Sequence, residues 1–363
     1  MLFRRRSSSL GVDIGSNSIK VVELEYSSRG PLIVNAGITN PLSDRSIEAA
    51  STALTELVVR KSFHSKRAVT SVSAASGELV TERFMFIERA TADIKEAELK
   101  ERVKWEAVAQ EYIPFSADEA VIDCHIIGER TEGNVPGLQI FLVAAHMELV
   151  RDRVYILQAA GLVPIAIETD FSSTLGLLSY MNLLPEDEDV AVIDIGATKT
   201  FIGIIHHRQL AFHRIIPIAG DHLTSQIERR LRVSGEEAEN YKLTEDLFER
   251  IPDGTSEIWR AASPIEPVIE ERQGLFPQIR QCFDFYEADT PNVRLSRIFL
   301  SGGTSQLQNL DNFLSHRLAI PVENVHFLDQ ISVADKGDAS EIEGKESVFA
   351  AAGGLALKPF RRY

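Results

Sequence analysis

Residues 10–26 read LGVDIGSNSIKVVELEY, and this stretch decides how the rest of the chain is understood. Apolar Val12 and Ile14 alternate up to Gly15-Ser16-Asn17-Ser18, and apolar Ile19, Val21, Val22 and Leu24 continue beyond it. The pattern predicts strand, tight turn and strand, with Asp13 at or near the end of the first strand. Gly15 allows the backbone to approach a ligand closely. A phosphate fits such a turn, because amide N–H groups and hydroxyls converge on its oxygens without side-chain bulk in the way. Ser16, Asn17 and Ser18 add donors, and Lys20 adds a cation within reach. Asp13 and a phosphate are both anions, so the carboxylate calls instead for a hydrated Mg²⁺, which keeps several waters while serving carboxylate and phosphate together.

Half a chain later, residues 189–206 (DVAVIDIGATKTFIGIIH) repeat the arrangement. Asp194, Gly196, Thr198 and Lys199 take the roles of the first copy. A single Asp-Ile-Gly turn reads more readily as a plain hairpin, since Asp and Gly are common turn formers. Two of them, each between apolar strands, favour a phosphate chain gripped from both sides, with Asp13 and Asp194 flanking one metal. The repeat predicts two lobes that are distant duplicates. A third element is the apolar strand Arg297–Leu300, which runs into Ser301-Gly302-Gly303-Thr304 and then a helix from about Gln306. Adjacent glycines at a strand-to-helix turn suit the base and ribose end of a nucleotide. No GxxxxGK[ST] sequence occurs, which excludes a P-loop, and no GxGxxG opens a helix after a strand.

Composition agrees with a large α/β protein. At 363 residues the chain exceeds the size at which single cores stop growing. Hydrophobic residues make up 44% and charged residues 25%, the balance of a globular protein. A net charge of −15 argues against a general nucleic-acid binder, which needs a basic face. The two cysteines, Cys124 and Cys282, belong to no CxxC or Cys/His cluster, so neither a zinc site nor a disulfide framework is expected. His206-His207 reads as a hairpin turn rather than a metal site. No run of about 18 apolar residues is present, and the basic start at Arg4-Arg5-Arg6 lacks the apolar core of a signal peptide, so a cytoplasmic location is expected. That tail reads as solvated rather than lipid-bound.

Between the motifs, strands are predicted at Leu32–Ile38, Ala68–Ser73, Ala120–Ile127, Leu138–Ala145 and Gly161–Glu168. Helices are predicted at about Ile47–Arg60, Asp93–Ile113 (stopped by Pro114), Glu148–Ala160 and Phe171–Met181. The block starting at Leu79 reads as a small α/β unit inserted into the first lobe. After the acidic linker Pro185–Asp189 the second lobe begins. Its polar stretch from Leu243 to Asn292, interrupted by Pro252, Pro264, Pro267 and Pro277, is predicted to be mainly helical.

Two DxG hairpins and a later GG turn resemble the actin, heat-shock chaperone and sugar kinase superfamily. Within it the chain is similar to the type IV pilus assembly PilM family, relatives of the cell-division protein FtsA. The resemblance rests on LGVDIGSNSIKVVEL, on EAVAQEYIPF at Glu106–Phe115 and on AAAGGLAL at Ala350–Leu357, and it covers nearly the whole chain. It implies an actin-like two-lobed α/β fold, built of duplicated ribonuclease H-like domains, with an inserted subdomain of the FtsA and PilM type. Subdomain 1A would comprise residues 1–78 and 161–185 with the return at 346–363, the insert 1C residues 79–160, subdomain 2A residues 186–243 and 295–345, and subdomain 2B residues 244–294.

The resemblance also assigns the site. Asp13, Gly15, Ser16, Asn17 and Lys20, with Asp194, Gly196, Thr198 and Lys199, would contact phosphate and Mg²⁺. Glu239 and Lys242 would lie near ribose and adenine, and Gly302, Gly303 and Thr304 would match the adenosine turn. Glu168 and Asp170 stand where relatives carry an acidic residue near the attacking water, but with the two acids exchanged; helix N-capping is an equal explanation for Asp170. The family implies an ATP-binding scaffold with slow hydrolysis at most, lying at the inner face of the cytoplasmic membrane. Its partner would be the N-terminal cytoplasmic peptide of PilN, with pilus motor ATPases and the platform protein as further contacts. Two alternatives stand beside it: a filament-forming protein like FtsA, which should end in an amphipathic membrane helix, and a sugar or acetate kinase, which needs a base aimed at a substrate hydroxyl. The chain ends at Lys358–Tyr363, too short for such a helix, and no further substrate-base motif is evident.

Overall fold

Val12, Ile14, Ile19, Val21 and Val22 are all buried. Their backbone groups are satisfied by the chain folding back on itself: β1 (Ser8–Ile14) runs antiparallel to β2 (Ile19–Ser27), with Asp13 opposite Lys20 and Ile14 opposite Ile19. The computed structural model describes residues 8–73, 79–88, 96–252, 257–262, 264–266, 274–290 and 293–360. Arg4–Arg6, Asp93, Pro267 and the terminal residues 361–363 lie outside the described residues.

The first lobe continues with β3 (Gly30–Ile38), α1 (Ile47–Lys61) and β4 (Arg67–Val72). Next come β5 (Val80–Glu88), α2 (Glu96–Ala109), β6 (Ala120–Glu132), β7 (Val135–His146) and α3 (Met147–Ala159). It closes with β8 (Val163–Thr169) and α4 (Asp170–Tyr180). The second lobe opens with β9 (Asp189–Ile195), β10 (Thr200–His206), β11 (Gln209–Ile216), α5 (Gly220–Leu231) and α6 (Gly235–Thr244). It continues with β12 (Phe248–Pro252), β13 (Glu257–Ala261), α7 (Leu275–Asp289), β14 (Leu295–Ser301), α8 (Leu310–Leu318), β15 (Val322–Asn324), β16 (Val333–Asp338) and α9 (Ala350–Leu357).

Duplication is visible in the strand order. The first sheet runs β16-β3-β2-β1-β4-β8 and the second β11-β10-β9-β14-β15. Without β16 at the edge, each is an antiparallel three-stranded meander joined through its first strand to two parallel strands. β9 and β10 repeat the register of β1 and β2, with Ile195 opposite Thr200 across the four-residue turn from Gly196 to Lys199.

Apolar alternation on these strands feeds separate cores. On one face of the first sheet, Leu10, Val12, Ile19 and Val21 pack with Leu54 and Leu57 of α1 and Ile156 and Leu157 of α3. The other face meets α4 and α9, and the same cluster includes Val190, Val192, Phe201 and Phe299 of the second sheet. The two sheets are therefore joined through a shared layer of central helices, and burying that layer contributes of order 25 cal/mol per Å² of apolar area. α9 comes so close to β1 that a Cβ on Gly11 would lie 1.9 Å from the Ala352 carbonyl oxygen and 2.4 Å from the Ala356 nitrogen. No side chain fits there, which explains a glycine in the middle of a buried strand.

The inserted unit is a three-stranded antiparallel sheet, order β5-β7-β6, with Met85, Ile87, Ile140 and Leu142 packed against Leu99, Val103 and Ala107 of α2. α2 ends at Ala109 rather than at Ile113: Glu111 takes a left-handed φ of +55° and Tyr112 N–H donates back to the Ala107 carbonyl at 2.8 Å, which closes the helix ahead of Pro114. A larger correction falls in the second lobe: part of the stretch predicted to be helical is the antiparallel pair β12 and β13, ahead of α7. Pro252, the last residue of β12, lacks the backbone N–H that a helix through this stretch would need. The helix after Gly303 begins at Leu310, not near Gln306; a 3-10 turn at Gly303–Gln306 is followed by Leu307 in an extended conformation.

The insert is tied to the second lobe by Glu82 on β5 and His213 on β11. Their side chains are 1% and 3% exposed, and His213 Nε2 lies 3.0 Å from Glu82 Oε2. The atoms are close but not aligned as a hydrogen bond. The rings of Phe141 and Phe171 flank the imidazole at 5.5 and 5.3 Å. Removing one partner leaves the other a buried polar group with no neighbour, so Glu82→Ala or His213→Ala alone should cost about 1–3 kcal/mol in urea unfolding. The double replacement Glu82→Leu with His213→Phe, which fills the same space with apolar groups, should cost much less. Equal losses in single and double variants would show that packing, not the polar pair, holds the contact.

Candidate functional site

The two Asp-Ile-Gly turns meet. Ser16 Oγ lies 3.3 Å from Thr198 Oγ1, a hydrogen-bond contact between residues 182 apart in sequence. A cavity of about 480 Å³ opens where they face each other, within the range of small-ligand sites. Its lining includes Asp13, Gly15, Ser16, Asn17 and Lys20 from the first turn, and Asp194, Gly196, Thr198 and Lys199 from the second. Glu239 and Lys242 of α6 and Gly302, Gly303 and Thr304 line it as well, so every residue named for nucleotide contact reaches one space.

Local structure explains how each part is held. The second turn is closed by Gly196 N–H donating to the Lys199 carbonyl at 3.0 Å. α5 starts on it, with Gly220 N–H donating to Gly196 O at 3.2 Å and Asp221 N–H to Ala197 O at 2.7 Å. Thr304 Oγ1 donates to Gly196 O at 2.8 Å, which fastens the GG turn to the same point. Gly302 has φ +90°, and a Cβ there would lie 2.5 Å from the Ile195 carbonyl oxygen, so both conformation and space require glycine. On α6, Lys242 Nζ pairs with Glu239 Oε2 at 2.6 Å and donates to Thr224 Oγ1 at 2.9 Å. Arg45, ahead of α1, bridges the lobes by donating to Ser16 O at 3.4 Å and to Asp221 Oδ2 at 2.5 Å.

Carboxylates concentrate at the floor. Asp13 has Lys20 Nζ 3.7 Å away, and Lys20 also donates to the Ser18 carbonyl at 3.4 Å. Burial raises Asp194 to about 6; the Ser301 hydroxyl, donating at 2.7 Å, opposes this, and the negative Asp13 reinforces it. Asp170 is raised to about 7, chiefly by burial and then by Asp13, against the Ser71 and Ser73 hydroxyls and Arg153. Burial lowers Lys199. Like charges gathered out of water call for protons or a cation. Among the described residues no group of three His, Cys, Asp or Glu side chains is close enough to hold a metal by itself. The donor set therefore fits a hard cation that keeps its waters and is completed by ligand oxygens, the mode of Mg²⁺, and not a protein-only cage.

The acids at the end of β8 part company. Asp170 lines the cavity, whereas Glu168 does not. Glu168 pairs with Lys358 and accepts from Ser173 Oγ at 3.2 Å. Asp170 is not the helix cap: Thr169 takes that position, its hydroxyl accepting from Ser172 N–H at 3.2 Å, and Asp170 is the first residue of α4. The buried, β-branched Thr169 at a strand end fills the cap, which leaves the next side chain to face the cavity. Sequence reasoning missed Arg45, Asp152, Arg153 and Asp221, which also line it. Gly220-Asp221 at the start of α5 was the one local signal; the arginines carried none.

Comparison with known proteins follows the same lines. A family profile described as type IV pilus assembly protein PilM matches residues 11–360. The cell division protein FtsA of Streptococcus pneumoniae serotype 2 (strain D39 / NCTC 7466) is 25% identical over 255 residues, which is 64% of this chain and 54% of that protein. The match thus spans about half the length of that relative. Among solved structures, a PilM-PilN type IV pilus biogenesis complex aligns with a TM-score of 0.80 at 25% identity, over 98% of this chain and 100% of the other. The ethanolamine utilization protein EutJ from Carboxydothermus hydrogenoformans aligns with a TM-score of 0.51 at 13% identity, over 97% and 89%, and shares the fold. The fold is the actin-like two-lobed α/β fold.

The charge at the floor has a measurable signature. A carboxyl whose folded pKa is raised stabilises the ligand-free protein below its unfolded value of about 3.9 and loses that contribution as pH rises through about 7. Asp170→Asn removes the loss. The variant should match wild type near pH 4 in chemical unfolding and exceed it at pH 8; equal stability at pH 8 would mean that Asp170 bears no such burden.

Proposed function

The chain belongs to the type IV pilus assembly protein PilM family, and on that premise we propose that it is an ATP-binding adaptor of the pilus assembly platform that takes the N-terminal cytoplasmic peptide of PilN. The observation that carries the nucleotide part is the meeting of the two turns at Ser16 and Thr198, with the conformationally constrained Gly302 turn on the same cavity. The amides and hydroxyls of the first turn and the second would take phosphate oxygens from opposite lobes. Asp13 and Asp194 would hold Mg²⁺ through its waters, and the ion would neutralise phosphate charge. Glu239 and Lys242 would line the ribose and adenine end, with Gly302, Gly303 and Thr304 beneath the adenosine.

The same geometry favours an adaptor with slow hydrolysis at most. Asp170 is the acid available to orient a water, since Glu168 is engaged by Lys358 and Ser173. Its side chain is short for that task, and its charge is suppressed at neutral pH. A ligand held by both lobes favours the closed arrangement by its differential affinity for it, so nucleotide would act on lobe angle. The PilN part is supported by the likeness to the PilM-PilN complex along nearly the whole chain. In this proposal the peptide lies between the first lobe and the inserted unit, and motor ATPases and the platform protein are further contacts. No described helix is long and apolar enough to cross a membrane, so the proposed position at the inner face of the cytoplasmic membrane would depend on partners.

Titration of a PilN-type N-terminal peptide, with and without Mg-ATP, tests the reading. Binding in at least one state is expected, with an affinity that changes on adding nucleotide. Asp13→Ala and Asp194→Ala should each weaken Mg-dependent ATP retention by about ten-fold or more, a loss of roughly 1.4 kcal/mol, at an unchanged circular-dichroism spectrum. No peptide binding in either state would remove the adaptor role, and undiminished ATP binding by both variants would remove the site.

A further inference from the structure

Arg153 is a cavity cation whose hydrogen-bonding capacity is not fully used. It projects from α3 and lines the cavity. Its Nε is sealed from water and has no acceptor among the described residues. The neighbouring cations differ. Lys20 lies 3.7 Å from Asp13, Arg45 2.5 Å from Asp221 and Lys242 2.6 Å from Glu239, and Lys199 is engaged as well. The charges that act on Arg153 are Asp170 first, then Asp13 and Asp152.

A guanidinium carries five donors in a planar fork, stays charged at any physiological pH and matches an oxyanion with several oxygens. A buried donor left unmade is costly, and an anion entering the cavity would give the guanidinium partners that the described residues do not supply. Location selects which part of the ligand. Arg153 works beside Asp13 and Asp170 on the first lobe, whereas α6 and the Gly302 turn line the cavity from the second. On the nucleotide reading the anionic end would lie on the side of the Asp-Ile-Gly turns, and its last phosphate carries the most oxygens for a fork to hold.

Resting on the nucleotide reading above, we propose that Arg153 binds the terminal phosphate of a nucleoside triphosphate and thereby makes the site prefer a triphosphate to a diphosphate. No bond is made or broken in this role; Arg153 is a binding residue that senses which nucleotide is held. The residue has a second effect in the same place, since its positive charge opposes the repulsion between Asp13 and Asp170 whenever no metal is bound.

Calorimetric titration of the full chain with Mg-ATP and with Mg-ADP tests this, for wild type, Arg153→Gln and Arg153→Lys, with melting temperatures recorded alongside. Arg153→Gln should weaken Mg-ATP about ten- to a hundred-fold, as expected for lost hydrogen bonds to a charged group, and leave Mg-ADP nearly unchanged. Arg153→Lys, which keeps the charge without the fork, should recover part of the preference. Equal weakening of both nucleotides, or weakening of neither, overturns the assignment. Should Arg153→Gln fail to fold, the ATP-to-ADP ratio of Arg153→Lys decides, and a ratio equal to that of wild type counts against the proposal. A wild-type chain that binds neither nucleotide overturns the nucleotide reading itself, and the role of Arg153 falls with it.

Discussion

Carboxylates held close together out of water are the constraint on which this structure turns. Asp13, Asp170 and Asp194 come from three strand ends and line one cavity. Burial and mutual repulsion lift Asp170 to about 7 and Asp194 to about 6. Nothing among the described residues fully relieves that repulsion. Lys20, Ser301 and the charge of Arg153 reduce it. A fold that carries like charges in this way is less stable for them and regains that stability when a cation or ligand binds, because binding to the native state adds to its stability by mass action.

The duplicated sheets explain why the charges meet. Each half ends its first strand in Asp-Ile-Gly, and each joins that strand to a parallel neighbour on the other side. With the two sheets packed through α4 and α9, the turns at the ends of β1 and β9 are brought within hydrogen-bond distance. Gly11 is as much a part of this as the turn residues. Any larger side chain would push α9 off β1 and separate the layers that set the turn-to-turn distance. α5 and the 3-10 turn after Gly302 then rest on the second turn and fix the lobe that carries α6.

Both hairpins, the Gly302 turn and the two-lobed fold are legible in the sequence, because their signals are local. Period-two apolar runs identify strands, and Asp-Ile-Gly and Gly-Gly specify backbone geometry at the residue that bears them. Other features depend on contacts between distant segments. β12 and β13 read as helix, since a short hairpin with Glu249, Arg250 and Arg260 on it lacks the apolar alternation that marks a buried strand. The gap between Gly303 and α8 depends on Leu307, buried in the second lobe at 3% exposure, which holds the chain extended. Arg153 reads in sequence as one more charged residue on a helix face; the unpaired state of its Nε among the described residues becomes visible only once the cavity is assembled around it. Glu168 and Asp170, two residues apart, are indistinguishable as sequence, and the contact of Glu168 with Lys358 is what separates them.

A crystal structure of the chain grown with Mg²⁺ and a non-hydrolysable ATP analogue is the most direct measurement. Phosphate density between the Gly15–Ser18 turn and the Gly196–Lys199 turn, with a hydrated metal between Asp13 and Asp194, is the expected result. Nucleotide bound at another surface, or the two turns drawn apart with nothing held between them, would contradict it.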